Sequence, residues 1–91
     1  MPNIASAKKR LRQSLVRRAR NRATKSLLRT QIRKVREAVA AGNAADAETA
    51  FRECVRHLDR AAAHRVIHKN AAGRIKSRLS ARTKALKQNA A

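Results

Sequence analysis

The stretch AVAAGNAADA, residues 38–47, decides how this chain folds. With Pro2 and Gly73, Gly42 is one of only three helix breakers in the sequence. A glycine behind a helical run takes up the left-handed conformation that closes a helix. Asn43 can then cap the next helix, with Asp46 at its third position to accept unpaired backbone N–H groups. Gly42-Asn43 leaves room only for an antiparallel reversal, so the two flanking segments are expected to form a helical hairpin.

Working outward, apolar residues recur at helical spacing on both sides. Upstream, Leu28, Ile32, Val35 and Val39 make a narrow stripe on a first helix expected over residues 6–41. Downstream, Ala47, Phe51, Cys54, Val55, Leu58 and Ala62 do the same on a second helix ending near residue 63. Ala72, Ile75, Leu79 and Leu86 mark a third, expected over residues 66–85. No Pro or Gly separates the second helix from the third, and a kink or turn is placed at residues 61–65. Gly73, inside the third helix, costs about 1 kcal/mol relative to Ala. The expectation is an all-α, three-helix bundle whose long, highly basic first helix extends beyond it. The chain is read as a single helical domain over 1–91, with an arm at 1–25, the bundle at 26–86 and a tail at 87–91.

Its 91 residues allow one small domain. The hydrophobic fraction is 43%, but 20 of those residues are Ala, with one Phe and no Trp or Tyr, so the core is thin. Lys and Arg number 24 against five acids, a formal net charge of +19. That charge repels itself in a compact free chain and implies a polyanionic partner.

The charge is also aimed. Residues 1–36 hold 13 Lys or Arg and no acid, and residues 64–91 hold eight and no acid. All five acids (Glu37, Asp46, Glu48, Glu53, Asp59) fall between, with Arg52, Arg56 and Arg60. In the first 25 residues the cations point all round the helix axis, and Leu11, Leu15 and Val16 are too few to dock the segment on the bundle. Such a helix lacks stabilising i,i+4 acids and is expected to gain its order among phosphates. From Arg18 onward Arg22, Lys25, Arg29, Arg33 and Arg36 line up as a basic stripe beside the apolar one.

Several functions find no support in these residues. One Cys gives no disulfide framework and fits a reducing compartment, and no apolar run is long enough to span a membrane. The Arg-rich N-terminus has transit-peptide composition, yet the chain beyond it is just as basic. Cys54-x2-His57 with His64-x3-His68 has zinc-like spacing, but Cys54 sits on the apolar stripe as a small hydrophobe, and no metal or cofactor is expected. His68 falls near the third apolar stripe, so it reads either as a core histidine or, beside Lys69-Asn70, as part of a polar contact surface. No paired acids, phosphate loop or nucleophile–base pair exists, so the chain is not expected to be an enzyme or to take a small-molecule substrate. Lacking Trp and Tyr, it also lacks the stacking platforms of single-strand readers. Phosphate neutralisation and shape recognition of structured RNA remain.

Asn3-Ile4 with Ser6-Ala7-Lys8-Lys9-Arg10, then Gln13-Ser14, Arg17-Arg18 and Asn21, resembles the bacterial small-subunit ribosomal protein S-twenty family. The resemblance continues through Arg29-Thr30, Ile32, Lys34-Val35, Ala41-Gly42, Ala50-Phe51 and Asp59-Arg60. It is sharpest at Ile67-His68-Lys69-Asn70, then Ala72, Arg74 and Lys76. It implies a structural constituent of the small ribosomal subunit, bound directly to 16S ribosomal RNA, helping to assemble it and serving translation in the cytoplasm. Partners implied are that RNA and other small-subunit components, with no membrane and no homo-oligomer. By position it implies RNA contacts at Ser6, Lys8, Lys9, Arg10, Ser14, Arg17, Arg18, Asn21, Arg29 and Lys34 from the first helix. From the third helix it implies contacts at His68, Lys69, Asn70, Arg74 and Lys76. The chain departs from the family at Arg65, where Gly is common, at Ala71, where Lys is common, and at Gly73, where Ala is common. The rival readings are a histone-like or nucleoid DNA binder and, without interfacial Trp or Phe, a membrane-surface protein.

Overall fold

The computed structural model describes residues 2–90, with side chains described over residues 4–88. Three helices account for it: α1 (Pro2–Ala40), α2 (Ala44–Ala63) and α3 (Lys69–Ala90). The middle helix α2 packs against both others, while α1 and α3 barely meet. The molecule measures 70 × 20 × 13 Å with a radius of gyration of 18.0 Å. A compact chain of this length would have about 12 Å; the excess is the free half of α1.

The turn at residues 38–47 is built as its residues dictate. Gly42 has φ 77°. Its N–H donates to the Val39 carbonyl at 3.1 Å and the Asn43 N–H to the Ala38 carbonyl at 3.3 Å, the paired bonds of a Schellman cap. Asn43 Oδ1 then accepts the Asp46 N–H at 3.2 Å and starts α2. Asp46 differs from expectation in one respect: its carboxylate accepts the Asn43 side-chain amide at 2.8 Å.

The second turn departs from the sequence reading. α2 ends at Ala63, and α3 starts at Lys69 instead of residue 66. The Arg65 N–H donates to the Ala62 carbonyl at 3.1 Å and the Val66 N–H to the Ala61 carbonyl at 2.9 Å. This is the same cap as at Gly42, with Arg65 in the left-handed position at φ 60°. Val66 turns onto the core. His68 precedes α3 and its Nδ1 accepts the Asn70 backbone N–H at 3.0 Å, so the imidazole caps the helix. With no breaker after Gly73, α3 runs past residue 85 to Ala90.

Leu28, Val35, Cys54, Leu58, Ala61, Ala72 and Leu79 form the core, with Ile32, Val39, Phe51, Val66, Ile67 and Ile75 packed around it. The apolar stripes are thus found, except that Val55 and Leu86 are half-buried outside this cluster, and three other residues are buried with the stripes. Ala61 is buried beside Ala62, which packs against the core as its spacing predicts, and Gln31 and Thr83 are buried at 6% and 5% exposure. Thr83 donates its hydroxyl to the Leu79 carbonyl at 2.9 Å. Gln31 Oε1 is buried without a hydrogen-bond partner among the described residues.

Candidate nucleic-acid interface

Every side chain from residue 4 to residue 20 is exposed, including Ile4, Leu11, Leu15 and Val16. This half of α1 therefore projects from the bundle as a helix surrounded by solvent, carrying Lys8, Lys9, Arg10, Arg12, Arg17, Arg18 and Arg20. Where α1 begins to touch α2, its basic stripe faces outward: Arg18, Arg22, Lys25, Arg29, Arg33 and Arg36 are exposed, while Leu28 and Val35 are buried behind them.

Of the residues expected to contact RNA, Ser14, Arg17, Arg18, Asn21 and Arg29 share one open depression of about 420 Å³ with Arg22 and Lys25. Ser6, Lys8, Lys9 and Arg10 lie on the exposed arm. Lys34 is exposed but stands roughly 160° round the helix from Arg18, away from that depression. His68 and Lys69 line a hollow at the α2–α3 turn with Arg65 and Val66. Asn70 and Arg74 are exposed on α3. The His68 cap engages the Asn70 backbone N–H and not its carboxamide. Lys76 is engaged: its Nζ donates to Asp59 Oδ1 at 2.6 Å across the α2–α3 seam.

Glu48 and Asp59 are the acids engaged in ion pairs among the described residues. Glu48 pairs with Arg52 at 2.9 Å and with Lys87 at 2.9 Å. The Lys87 ammonium, by hydrogen bond and charge, and then Arg52 hold the Glu48 carboxyl below the usual carboxylate range. Cys54 is buried in the core cluster with Leu58 as a small hydrophobe, and that burial pushes its thiol up. No three potential metal ligands converge among the described residues, and no described helix is long and apolar enough to cross a membrane.

The sequence reading missed a cleft at the crook where the α1 arm leaves α2. It has a volume of about 530 Å³ and is walled by Arg17, Arg20, Asn21 and Thr24 of α1 and by His57, Arg60, His64 and Arg65. Leu27, Leu28, Ala61 and Val66 form its floor. A signal for it exists in the chain. Arg17, Arg20, Asn21 and Thr24 repeat at three, one and three residues, as do His57, Arg60, Ala61 and His64. Reflection about Gly42-Asn43 brings Asn21 opposite His64.

The arrangement can neutralise a polyanion along about 26 Å of free helix and continue onto the bundle. The family model for ribosomal protein S20 matches residues 2–84. A small ribosomal subunit protein bS20 from Stenotrophomonas maltophilia is 55% identical over 87 residues, covering 96% of this chain and 98% of that protein. The bS20 of Rhodopirellula baltica is 55% identical over 80 residues, covering 88% of this chain and 89% of its own length. That of Xanthomonas oryzae is 53% identical over 87 residues. Matched over nearly all its length by a family of structural, non-enzymatic ribosome components, the chain belongs to the ribosomal protein S20 family.

Proposed function

We propose that this protein is a structural constituent of the small ribosomal subunit that binds 16S ribosomal RNA directly and stabilises it during assembly in the cytoplasm. One observation carries the reading. The acid-free half of α1, cationic all round and exposed at every described side chain, has no protein to rest on. A helix of that kind is stabilised by phosphates that surround it. Relatives at 53–55% identity carry the name of a small-subunit protein, which supports the ribosome as the source of those phosphates.

The two arms do different work. Lys8, Lys9, Arg10, Arg17 and Arg18 neutralise phosphate and set orientation, which carries no sequence information by itself. The segment 67–70 presents an imidazole, an ammonium and a carboxamide at the start of α3, where unpaired N–H groups and the helix dipole also favour phosphate. The Asn70 carboxamide both donates and accepts, so it can read a 2′-hydroxyl or a base edge.

Filter binding to 16S ribosomal RNA, generic duplex RNA and duplex DNA across a salt series tests this. The expected result is a steep fall of affinity with salt and a preference for the ribosomal RNA. Arg18→Ala is expected to reduce the salt slope by about one unit. Lys9→Ala is expected to weaken all partners alike, and Asn70→Ala to narrow the preference. Equal affinity for duplex DNA and ribosomal RNA would count against the reading and favour a DNA binder.

A further inference from the structure

The cleft at the crook of α1 and α2 has a chemistry that phosphate neutralisation alone does not require. Its volume, about 530 Å³, falls within the range of sites that enclose small ligands, about 300–1,000 Å³. Arginines converge on it from both helices and the turn, and no carboxylate lines it. Its floor is apolar, through Leu27 and Val66, and two imidazoles, His57 and His64, stand at its wall. A phosphate alone needs no apolar floor, and an apolar ligand alone needs no arginines. A nucleotide needs both: a flat base that stacks on imidazole or guanidinium planes over an apolar surface, and a phosphate held by cations.

The backbone supplies an independent sign. Arg65 holds a left-handed conformation, φ 60°, in which glycine would be free of strain. The turn itself needs only the conformation, as Gly42 demonstrates at the equivalent position of the first turn. The strained residue is thus an arginine that lines the cleft. Backbone strain retained at a cavity is a mark of a working side chain.

The geometry points to this cleft as the receptor for a single unstacked nucleotide of an RNA helix, such as a bulge, with Arg65 on its phosphate and His64 against its base. The inference rests on the RNA-binding reading above and adds a discrete site to it. Double-stranded RNA hides its base edges in a deep, narrow major groove, so an extruded base is the feature a protein can grip. The arm along one flank and the bundle along the other would then be placed in register by one gripped nucleotide.

The test compares a fully paired RNA hairpin with the same hairpin carrying one bulged adenosine, using fluorescence anisotropy at fixed salt. Wild-type protein is expected to prefer the bulged hairpin by about tenfold, the scale of one stacked base. Arg65→Gly, which relaxes the turn, is expected to reduce that preference below about twofold while keeping most of the affinity for the paired hairpin. His64→Ala is expected to act in the same direction. Arg36→Ala, on the basic stripe away from the cleft, is expected to lower both affinities together. A thermal melt of Arg65→Gly at or above wild type confirms that its fold is intact. Equal wild-type affinity for the two hairpins, or a preference that survives Arg65→Gly, overturns the cleft and leaves RNA binding standing. Binding to neither hairpin nor to 16S ribosomal RNA overturns both. Adenosine monophosphate bound as tightly as the bulged hairpin, with the same dependence on Arg65, would assign the cleft to a free nucleotide and overturn its role in RNA.

Discussion

Two residues set the same left-handed cap at very different cost. Gly42 adopts its φ freely, whereas Arg65 pays about 1–2 kcal/mol in Cβ crowding. Replacing Arg65 by Gly relieves that strain but frees the unfolded chain by about 0.4–1 kcal/mol. The net expectation is stabilisation by about 0.5–1 kcal/mol, read as a higher urea midpoint. Gly73 is the converse. A Cβ built there meets no atom within 4 Å, and the site lies inside a helix. Gly73→Ala is expected to stabilise by about 1 kcal/mol, the difference in helix propensity. No increase in midpoint would mean that the helix is already distorted at this point. Gln31 gives a third expectation. Its Oε1 is buried and unpartnered, so Gln31→Met, of similar volume, is expected to gain about 1 kcal/mol.

At the scale of elements, α1 is two objects in one helix. Beyond Leu28 it has an apolar face buried against α2; before Asn21 every described side chain is exposed. Helices gain most of their stability from packing, and the arm has no packed face. Amide exchange at low salt is therefore expected to show protection over the α1–α2 hairpin and little across Arg12 to Arg22. Adding 16S ribosomal RNA is expected to slow exchange across that segment. Strong protection there without RNA would show that the arm holds its helix unaided.

At the scale of the whole molecule, two of the five acids, Glu48 and Asp59, hold α3 to α2. Asp59–Lys76 closes one end of that seam, and Glu48–Lys87 closes the other. The segments on either side of the acids, residues 1–36 and 64–91, carry cations and no acid. The folded Glu48 carboxyl lies below its ordinary value of 4.5, so its stabilisation is present above that pH and is lost as pH falls through the lowered value. Glu48→Gln is expected to lower the melting midpoint slightly at pH 7 and to match wild type at pH 3. An equal deficit at both would assign the loss to packing instead of charge. Both side chains remain in part open to solvent, so added salt is expected to shrink the difference at pH 7 as well.

The sequence by itself determined the hairpin, the three apolar stripes and the aimed charge. Gly42-Asn43 and helical periodicity are local signals, and charge is additive along the chain. Family membership was legible too, in the ordered motifs from Asn3 to Lys76. Tertiary structure decided what depends on distance between elements. A left-handed Arg65 ends α2, because the cap geometry and the burial of Val66 outweigh its Cβ strain. His68 became a cap, and Lys76 was drawn to Asp59. Arg20, His57, Arg60, His64 and Arg65 met around one cleft because α1 and α2 run antiparallel in a fixed register. Side chains some 40 residues apart acquire a common site only when packing fixes both backbones, and neither periodicity nor composition reports that register.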